Sequence, residues 1–418
     1  MTACTPAEQI NIVRKARREA WTPGFSLPQG DYADDTVFQE DMRLLGENVW
    51  ALVDHVRRIP KPGDFFVFEL GNESVIVLRD RNQQIRAHFN VCRHRGSRIC
   101  LSAQGSVRTL SCPYHAWTYD LEGKLISVPL DNGTIDKSAY GLHPAHVRVF
   151  HGIIFVNLSK TSPPPFEPYV ERFESYLAPY NLENARVAAR RTFSTNANWK
   201  LVVENFLECY HCKPAHPTYC SVHDELKMLA MGAGPGSGDE FMAKYAPIYE
   251  AWAAEERSKG RWLDPFNDSP DLPHFQSAAR IPIRQGSLTE SLDGRAVAPI
   301  MKSDQEFDGV QAGCVFNPVS TVLANPDHTI LFRMTPRGAL STDTEAIWLV
   351  RGDADPVHDF DADRVIGVWA PTLAEDKIIT ENNQHGILSD RYRSGPYQSQ
   401  EQRIAEFACW YRIQSGAA

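Results

Sequence analysis

Two short segments carry the most specific chemistry in the chain. Cys92-Arg93-His94-Arg95-Gly96 supplies a C-x-H pair, and Cys112-Pro113-Tyr114-His115 supplies a C-x-x-H pair after a gap of 17 residues. Two thiolates and two imidazoles so arranged suit a [2Fe–2S] cluster with cysteines on one iron and histidines on the other. That ligand set raises the reduction potential above that of an all-cysteine cluster. A structural zinc ion also takes two Cys and two His, but zinc sites usually pair Cys with Cys and His with His along the chain. Here each arm carries one of each and can give one ligand to each iron. Gly96 and Pro113 are turn formers suited to two loop tips closing over a cofactor. Trp117 and Tyr119 follow as alternating residues able to shield it. Such a cluster is an electron relay.

A second constellation lies in Glu204-Asn205-Phe206-Leu207-Glu208-Cys209-Tyr210-His211-Cys212-Lys213-Pro214-Ala215-His216. On a helix, Glu204, Glu208 and His211 share one face at i, i+4 and i+7. Pro214 is expected to end that helix, leaving His216 to fold back toward His211. Asp376, in Ala374-Glu375-Asp376-Lys377-Ile378-Ile379, is the candidate third ligand on a later helix, with Glu375 as the fallback. Two His and one carboxylate on one face of an iron leave positions open for dioxygen and substrate. An isolated H-x4-H would more often be two ordinary polar residues; the relay in the same chain favours a second metal. Cys209 and Cys212 lie inside this segment and are read as packing residues. Cys220 invites the same metal or redox question, while Cys4, Cys100, Cys314 and Cys409 carry no motif.

The elements that position these groups follow from patterning. Residues 47 to 157 hold short strand-like runs, such as Phe65-Phe66-Val67-Phe68, Ser74 to Leu78 and Gly152 to Leu158, separated by turns at Pro62-Gly63-Asp64, Gly71-Asn72 and Glu122-Gly123. A proline-rich stretch, Ser162 to Pro168, reads as a semi-rigid linker. Helical patterns occupy Glu167 to Leu177, Trp199 to Cys212, Asp359 to Ile387 and Gln400 to Ile413. One more helix is expected in the Gly/Pro-rich section Met231 to Ser291, and strands return at Thr329 to Thr335 and Glu345 to Val350.

A chain of 418 residues calls for more than one core. We expect an N-terminal helical segment over 1–44 packing on a catalytic domain, a β-rich cluster domain over 45–160 and the catalytic domain over 161–418. No apolar stretch is long enough for a membrane span, and the charged N-terminus lacks a secretory pattern. A net charge of −9 disfavours a nucleic-acid partner. Nine cysteines in this setting read as reduced, which suits the cytoplasm. Arg93, Arg95, Arg98 and Arg108 surround the cluster arms, as a solvated face or a docking patch for an acidic electron donor.

The motifs C-R-H-R-G, C-P-Y-H-A-W, E-N-F-L-E-C-Y-H-C-K-P-A-H-P and E-D-K-I-I-T-E-N-N-Q-H-G-I resemble the α subunit of Rieske non-haem iron oxygenases over nearly the whole chain. The resemblance implies an α+β fold, with a Rieske β-domain joined to a helix-grip domain in which helices cover a curved antiparallel sheet. It implies a [2Fe–2S] cluster on Cys92, His94, Cys112 and His115 and mononuclear Fe(II) on His211, His216 and Asp376. It also implies a homotrimer, and a separate flavin and iron–sulfur reductase that delivers electrons from NAD(P)H. The residue bridging the two centres is usually Asp, and here it is Glu208. The same Glu occurs in the branch resembling carnitine, glycine betaine and proline betaine oxygenases, which Leu292-Asp293-Gly294, Trp348-Leu349-Val350 and Gly395-Pro396-Tyr397 also resemble; Phe316 to Ser320 departs from it.

That branch implies oxidative N-demethylation of a betaine-like quaternary ammonium compound with O2, releasing formaldehyde. Such a cation is recognised by aromatic faces. Phe241, Tyr245, Tyr249, Trp252, Trp262, Phe266 and Phe275 are candidates, although helical spacing equally suits core packing. Competing readings are an aromatic-ring-hydroxylating oxygenase, a Rieske electron carrier without oxygenase activity, and a zinc-stabilised binding module.

Overall fold

The computed structural model describes residues 19–223 and 239–417. Two compact units make up the fold: one comprises Leu45–Arg172 and Asn181–Ala185, the other the described part of Met1–Leu44 with Phe173–Tyr180 and Arg186–Ala418.

The first unit is built from short antiparallel strands. Ile153–Asn157 lies between Ala51–His55 and His146–Phe150. A four-stranded sheet runs in the spatial order Ile85–Phe89, Glu73–Arg79, Asp64–Leu70, Gln104–Ser106, and a small third sheet joins Leu110–Ser111, Thr118–Tyr119 and Leu125–Ser127. The hairpin between Leu70 and Glu73 turns through Gly71 at φ 57°, a region glycine enters without steric cost. Its core includes Phe65, Ile76, Leu78, Leu110, Trp117 and Tyr119, and Cys92 and Cys112 are buried among them. A hydrophobic cluster of this kind anchors the bases of both candidate cluster arms.

The second unit is organised by a seven-stranded antiparallel sheet. Its order is Arg186–Thr195, Ser341–Val350, His328–Gly338, Ser320–Ala324, Val310–Asn317, Ser277–Pro282, Phe266–Asn267. Two helices matter most for the site. Trp199–Phe206 starts at Asn198, whose side chain accepts the Lys200 N–H at 3.0 Å. Every residue from Trp199 to Glu204 is buried, including both charges. Lys200 is tolerated there because it pairs with Asp41, which also accepts from Trp199 Nε1 at 2.9 Å and from the Tyr411 hydroxyl at 2.8 Å. The second helix, Trp369–Ile387, places Trp369, Leu373 and Asp376 on one face at i, i+4 and i+7. Trp369 Nε1 donates to the buried Glu290 at 2.7 Å, and Glu290 also accepts from Gln311 Nε2, on the sheet, at 2.8 Å. That network fixes the helix against the strands and therefore fixes Asp376.

The expected strands near Thr329 and Glu345 fall inside His328–Gly338 and Ser341–Val350. The expected helix over Asp359 to Ile387 is broken into Ala362–Ile366 and Trp369–Ile387. The expectation of a continuous helix over Trp199 to Cys212 is corrected: the helix ends at Phe206, and Glu208 to His211 form a turn. The cause is local. Glu208 Oε2 accepts the backbone N–H of both Tyr210 and His211, an alternative to helical bonding. Pro214 accordingly does not end that helix; it sits in the separate short helix Cys212–Ala215. No described helix is long and apolar enough to cross a membrane.

Candidate metal centres

The two cluster arms adopt the same loop twice. In the first, Gly96 N–H donates to Cys92 O at 2.9 Å and Cys92 N–H donates to Ser97 O at 2.8 Å. In the second, Ala116 N–H donates to Cys112 O at 3.0 Å and Cys112 N–H donates to Trp117 O at 2.9 Å. The residue four after each cysteine takes the left-handed conformation, Gly96 at φ 77° and Ala116 at φ 54°. Asn90 braces the first loop, accepting from Ile99 and Cys100 N–H at 2.8 and 2.9 Å.

The result separates the ligand types by depth. Cys92 and Cys112 are buried and unbridged, whereas His94 and His115 are exposed with ring centroids 4.7 Å apart. Two buried thiols beneath two surface imidazoles are a donor set that would hold a [2Fe–2S] group, which would supply one-electron transfer. Trp117, read from the sequence as able to shield a cofactor, stacks on His94 at 4.9 Å. The Tyr119 hydroxyl lies 3.3 Å from Cys92 Sγ and accepts the Arg93 N–H at 3.0 Å. Of the arginines around these arms, Arg98 pairs with Glu69 at 2.6 Å and Arg93 donates to Gly141 O at 2.6 Å, while Arg95 lies over the exposed Tyr114 ring.

The second centre gathers His211, His216 and Asp376. One nitrogen from each ring and one carboxylate oxygen lie within 4.8 Å of one another, the one such group of metal-binding type among the described residues. The two Nε2 atoms are 3.1 Å apart. Asp376 Oδ1 is 2.9 Å from His216 Nε2 and 3.4 Å from His211 Nε2, yet it is buried without a hydrogen-bond partner. Two ring nitrogens and an unpartnered carboxylate oxygen converging on one point fit a divalent metal held on one face.

Both imidazoles are held from behind. His211 Nδ1 pairs with Glu208 Oε1, and His216 Nδ1 lies 2.8 Å from Glu375 Oε2. Each carboxylate fixes a tautomer that leaves Nε2 free for a metal. Without a metal, burial pulls the His211 pKa down, but the Asp376 and Glu208 carboxylates outweigh it and raise it to about 9, so a metal taken at Nε2 displaces a proton. Burial likewise favours a protonated Asp376, and the two histidines reverse this and hold its pKa low. Glu375, the sequence-based fallback for the third ligand, thus occupies a different position, on the far nitrogen of His216. Asn205, which sequence reasoning did not single out, places Nδ2 3.3 Å from His211 Nε2.

Two cavities border this centre. One of about 20 Å3, the size of a single water, is lined by Asn205, Phe206, Leu373, Asp376 and Thr380. The other, of about 270 Å3, is lined by Glu204, Glu208, His211, Tyr32, Tyr392 and Tyr397, among others. Beside His216, rings of Tyr219, Trp369, Phe332 and Phe206 make a continuous aromatic group with neighbouring centroids 5.0–5.9 Å apart. None of the described mid-chain aromatic candidates lines either cavity: Tyr249, Trp252 and Trp262 pack on one another, Phe266 on Phe173, and Phe275 on Phe407 and Trp410. The side chains of Phe241 and Tyr245 lie outside the described residues.

The reading of all cysteines as reduced is corrected. Cys209 and Cys212 form a disulfide, because the turn made by Glu208 brings residues three apart to the same side.

Comparison with known proteins finds a domain for each of the two cofactors. Residues 49–140 match the model of the Rieske [2Fe-2S] domain, and residues 182–416 match that of the ring hydroxylating alpha subunit (catalytic domain). The chain is 34% identical over 397 residues to the glycine betaine monooxygenase oxygenase subunit of Pseudomonas aeruginosa, covering 93% of this chain and 88% of that protein. It is 33% identical over 207 residues to the carnitine monooxygenase oxygenase subunit of Escherichia coli, covering 48% of this chain and 54% of that one. The fold matches the crystal structure of the quaternary ammonium Rieske monooxygenase CntA with a TM-score of 0.68 at 20% identity, over 95% of this chain and 99% of that one.

Proposed function

Because this chain belongs to the Rieske oxygenase family with a ring-hydroxylating-type catalytic domain, we propose that it is the oxygenase component of a monooxygenase that removes an N-methyl group from a betaine-like quaternary ammonium substrate. The observation that carries this reading is the similarity to glycine betaine monooxygenase along 93% of the chain.

In this reading Cys92, Cys112, His94 and His115 hold the Rieske cluster, and His211, His216 and Asp376 hold the mononuclear iron. When bound, these groups supply one-electron transfer and activation of dioxygen. The chain's own work is positional. Glu208 and Glu375 keep Nδ1 of His211 and His216 occupied, so that both rings present Nε2. Glu208 also borders the larger cavity, and by the family resemblance it is the carboxylate that would link the two centres. Phe206 on the smaller cavity and Tyr32, Tyr392 and Tyr397 on the larger one offer ring faces to a cation that cannot donate a hydrogen bond.

The overall reaction consumes the substrate, O2, two electrons and two protons. One oxygen atom enters an N-methyl C–H bond and the other leaves as water. The resulting hemiaminal breaks its C–N bond, giving formaldehyde and the amine with one methyl group fewer. Electrons come from NAD(P)H through a separate flavin and iron–sulfur reductase. Homotrimeric assembly and a cytoplasmic location complete the proposal, the location being where NAD(P)H is supplied. Mass spectrometry of products from glycine betaine, proline betaine and carnitine tests it: one substrate should return an amine lighter by one methylene, and no such product from any of them would count against it.

A further inference from the structure

The disulfide between Cys209 and Cys212 is not used by the proposed reaction, and its position is unusual. Cys209 directly follows Glu208, and Cys212 directly follows His211, so the bond closes a four-residue ring that contains the candidate ligand His211. The ring also reaches the other histidine. The Cys212 carbonyl accepts the His216 N–H at 2.8 Å, and the Cys220 thiol donates to the same oxygen at 3.3 Å. Both paired sulfurs sit in the core cluster that holds Trp369 and Phe332, with the half-buried Cys220 packed against it. Tyr210, inside the ring, is exposed while both cysteines are buried, so a reductant reaches the bond as the loop opens.

We propose that Cys209 and Cys212 are a redox-active pair that sets how firmly the His211, His216 and Asp376 site retains its metal. This rests on the reading of those three residues as iron ligands. The C-x-x-C spacing is that of dithiol redox centres, and the disulfides that do persist in the cytoplasm are commonly catalytic or redox-sensing. In the oxidised state the ring restrains His211 and its partner Glu208 together. A dithiol reductant exchanges with the bond, leaving two cysteine thiols and carrying the disulfide away itself. Peroxide, formed when O2 is reduced without substrate being oxidised, reverses the change: two thiols and one hydrogen peroxide give the disulfide and two waters. A centre that leaks peroxide thereby rewrites the bond beside its own ligand.

The test uses the iron-loaded protein. Thiols are alkylated after denaturation and mapped by peptide mass in samples treated with dithiothreitol or with hydrogen peroxide, and mononuclear iron release to a chelator is timed for each. The disulfide is expected after peroxide and two alkylated thiols after dithiothreitol. Iron release should be faster in the reduced state on the order of tenfold, the scale of a short-loop cross-link, with the visible spectrum of the cluster unchanged. The paired variant C209S/C212S should release iron at the fast rate under both treatments, while C220S keeps the wild-type response. Free thiols at both positions after peroxide, or equal release rates in the two wild-type states, would overturn the inference alone. Protein that binds no mononuclear iron in either state, with the disulfide present, would overturn the assignment of the metal site and this inference with it.

Discussion

Glu375 Oε2 lies 2.8 Å from Nδ1 of His216, while the adjacent Asp376 reaches Nε2 of the same ring at 2.9 Å. Two consecutive acidic residues thus address opposite nitrogens of one imidazole, the longer side chain reaching around to the back.

That arrangement gives Glu375 a measurable role. Glu375→Ala is expected to weaken iron binding by roughly 10–100-fold, the usual effect of losing such a partner. Glu375→Gln should lose much less, since its amide oxygen still accepts from Nδ1–H. Iron content after dialysis against graded chelator checks both.

Glu208→Gln separates electron supply from metal binding. The amide can still hold Nδ1 of His211, so both metals should stay loaded, whereas turnover is expected to fall by about 10–100-fold. Single-turnover oxidation of the reduced cluster, followed by its visible absorption, reports the loss.

Tyr119→Phe removes the hydroxyl 3.3 Å from Cys92 Sγ. A hydrogen bond to a cluster sulfur stabilises the reduced state. One worth about 1 kcal/mol corresponds to roughly 40 mV in a one-electron couple. The cluster potential should therefore drop by about that amount, with the absorption spectrum retained.

Glu204 predicts a pH dependence of stability. It is buried and accepts from Tyr32 at 2.8 Å, and burial raises its pKa to about 8. Between its ordinary 4.5 and about 8 the folded chain holds a proton there that the unfolded chain releases. Stability is therefore fully present below the lower value and is lost as pH rises through the folded one. Melting temperature should decline over this interval in the wild type, and Glu204→Gln should flatten the decline. Parallel slopes in the two proteins would contradict the assignment.

How much of this is legible in the sequence depends on what each residue type requires. Cys92, His94, Cys112 and His115 stand out because few roles demand those side chains at such short spacings, and the paired loops then place them as buried thiols and exposed rings. His211, His216 and Asp376 are legible for the same reason, although the turn that assembles the two histidines is not: helix-forming residues continue past Phe206, and only the Glu208 carboxylate on the Tyr210 and His211 amides ends the helix. The strand Val310–Asn317 escapes a reading by alternation because its polar residues Gln311 and Asn317 are buried, each held by hydrogen bonds. The aromatic group at His216 draws Tyr219, Phe332 and Trp369 from distant parts of the chain, so no local pattern announces it.

The two centres are expected to act together on an N-methyl group. The most direct measurement is formaldehyde release by the purified, iron-loaded protein supplied with a Rieske-type reductase, NADH and O2. Glycine betaine, proline betaine, carnitine, choline and a benzoate would be compared. One betaine is expected to give formaldehyde in step with NADH and O2 consumed, and His211→Ala to abolish it while the cluster remains. O2 uptake with a hydroxylated benzoate and no formaldehyde from any ammonium compound would contradict it.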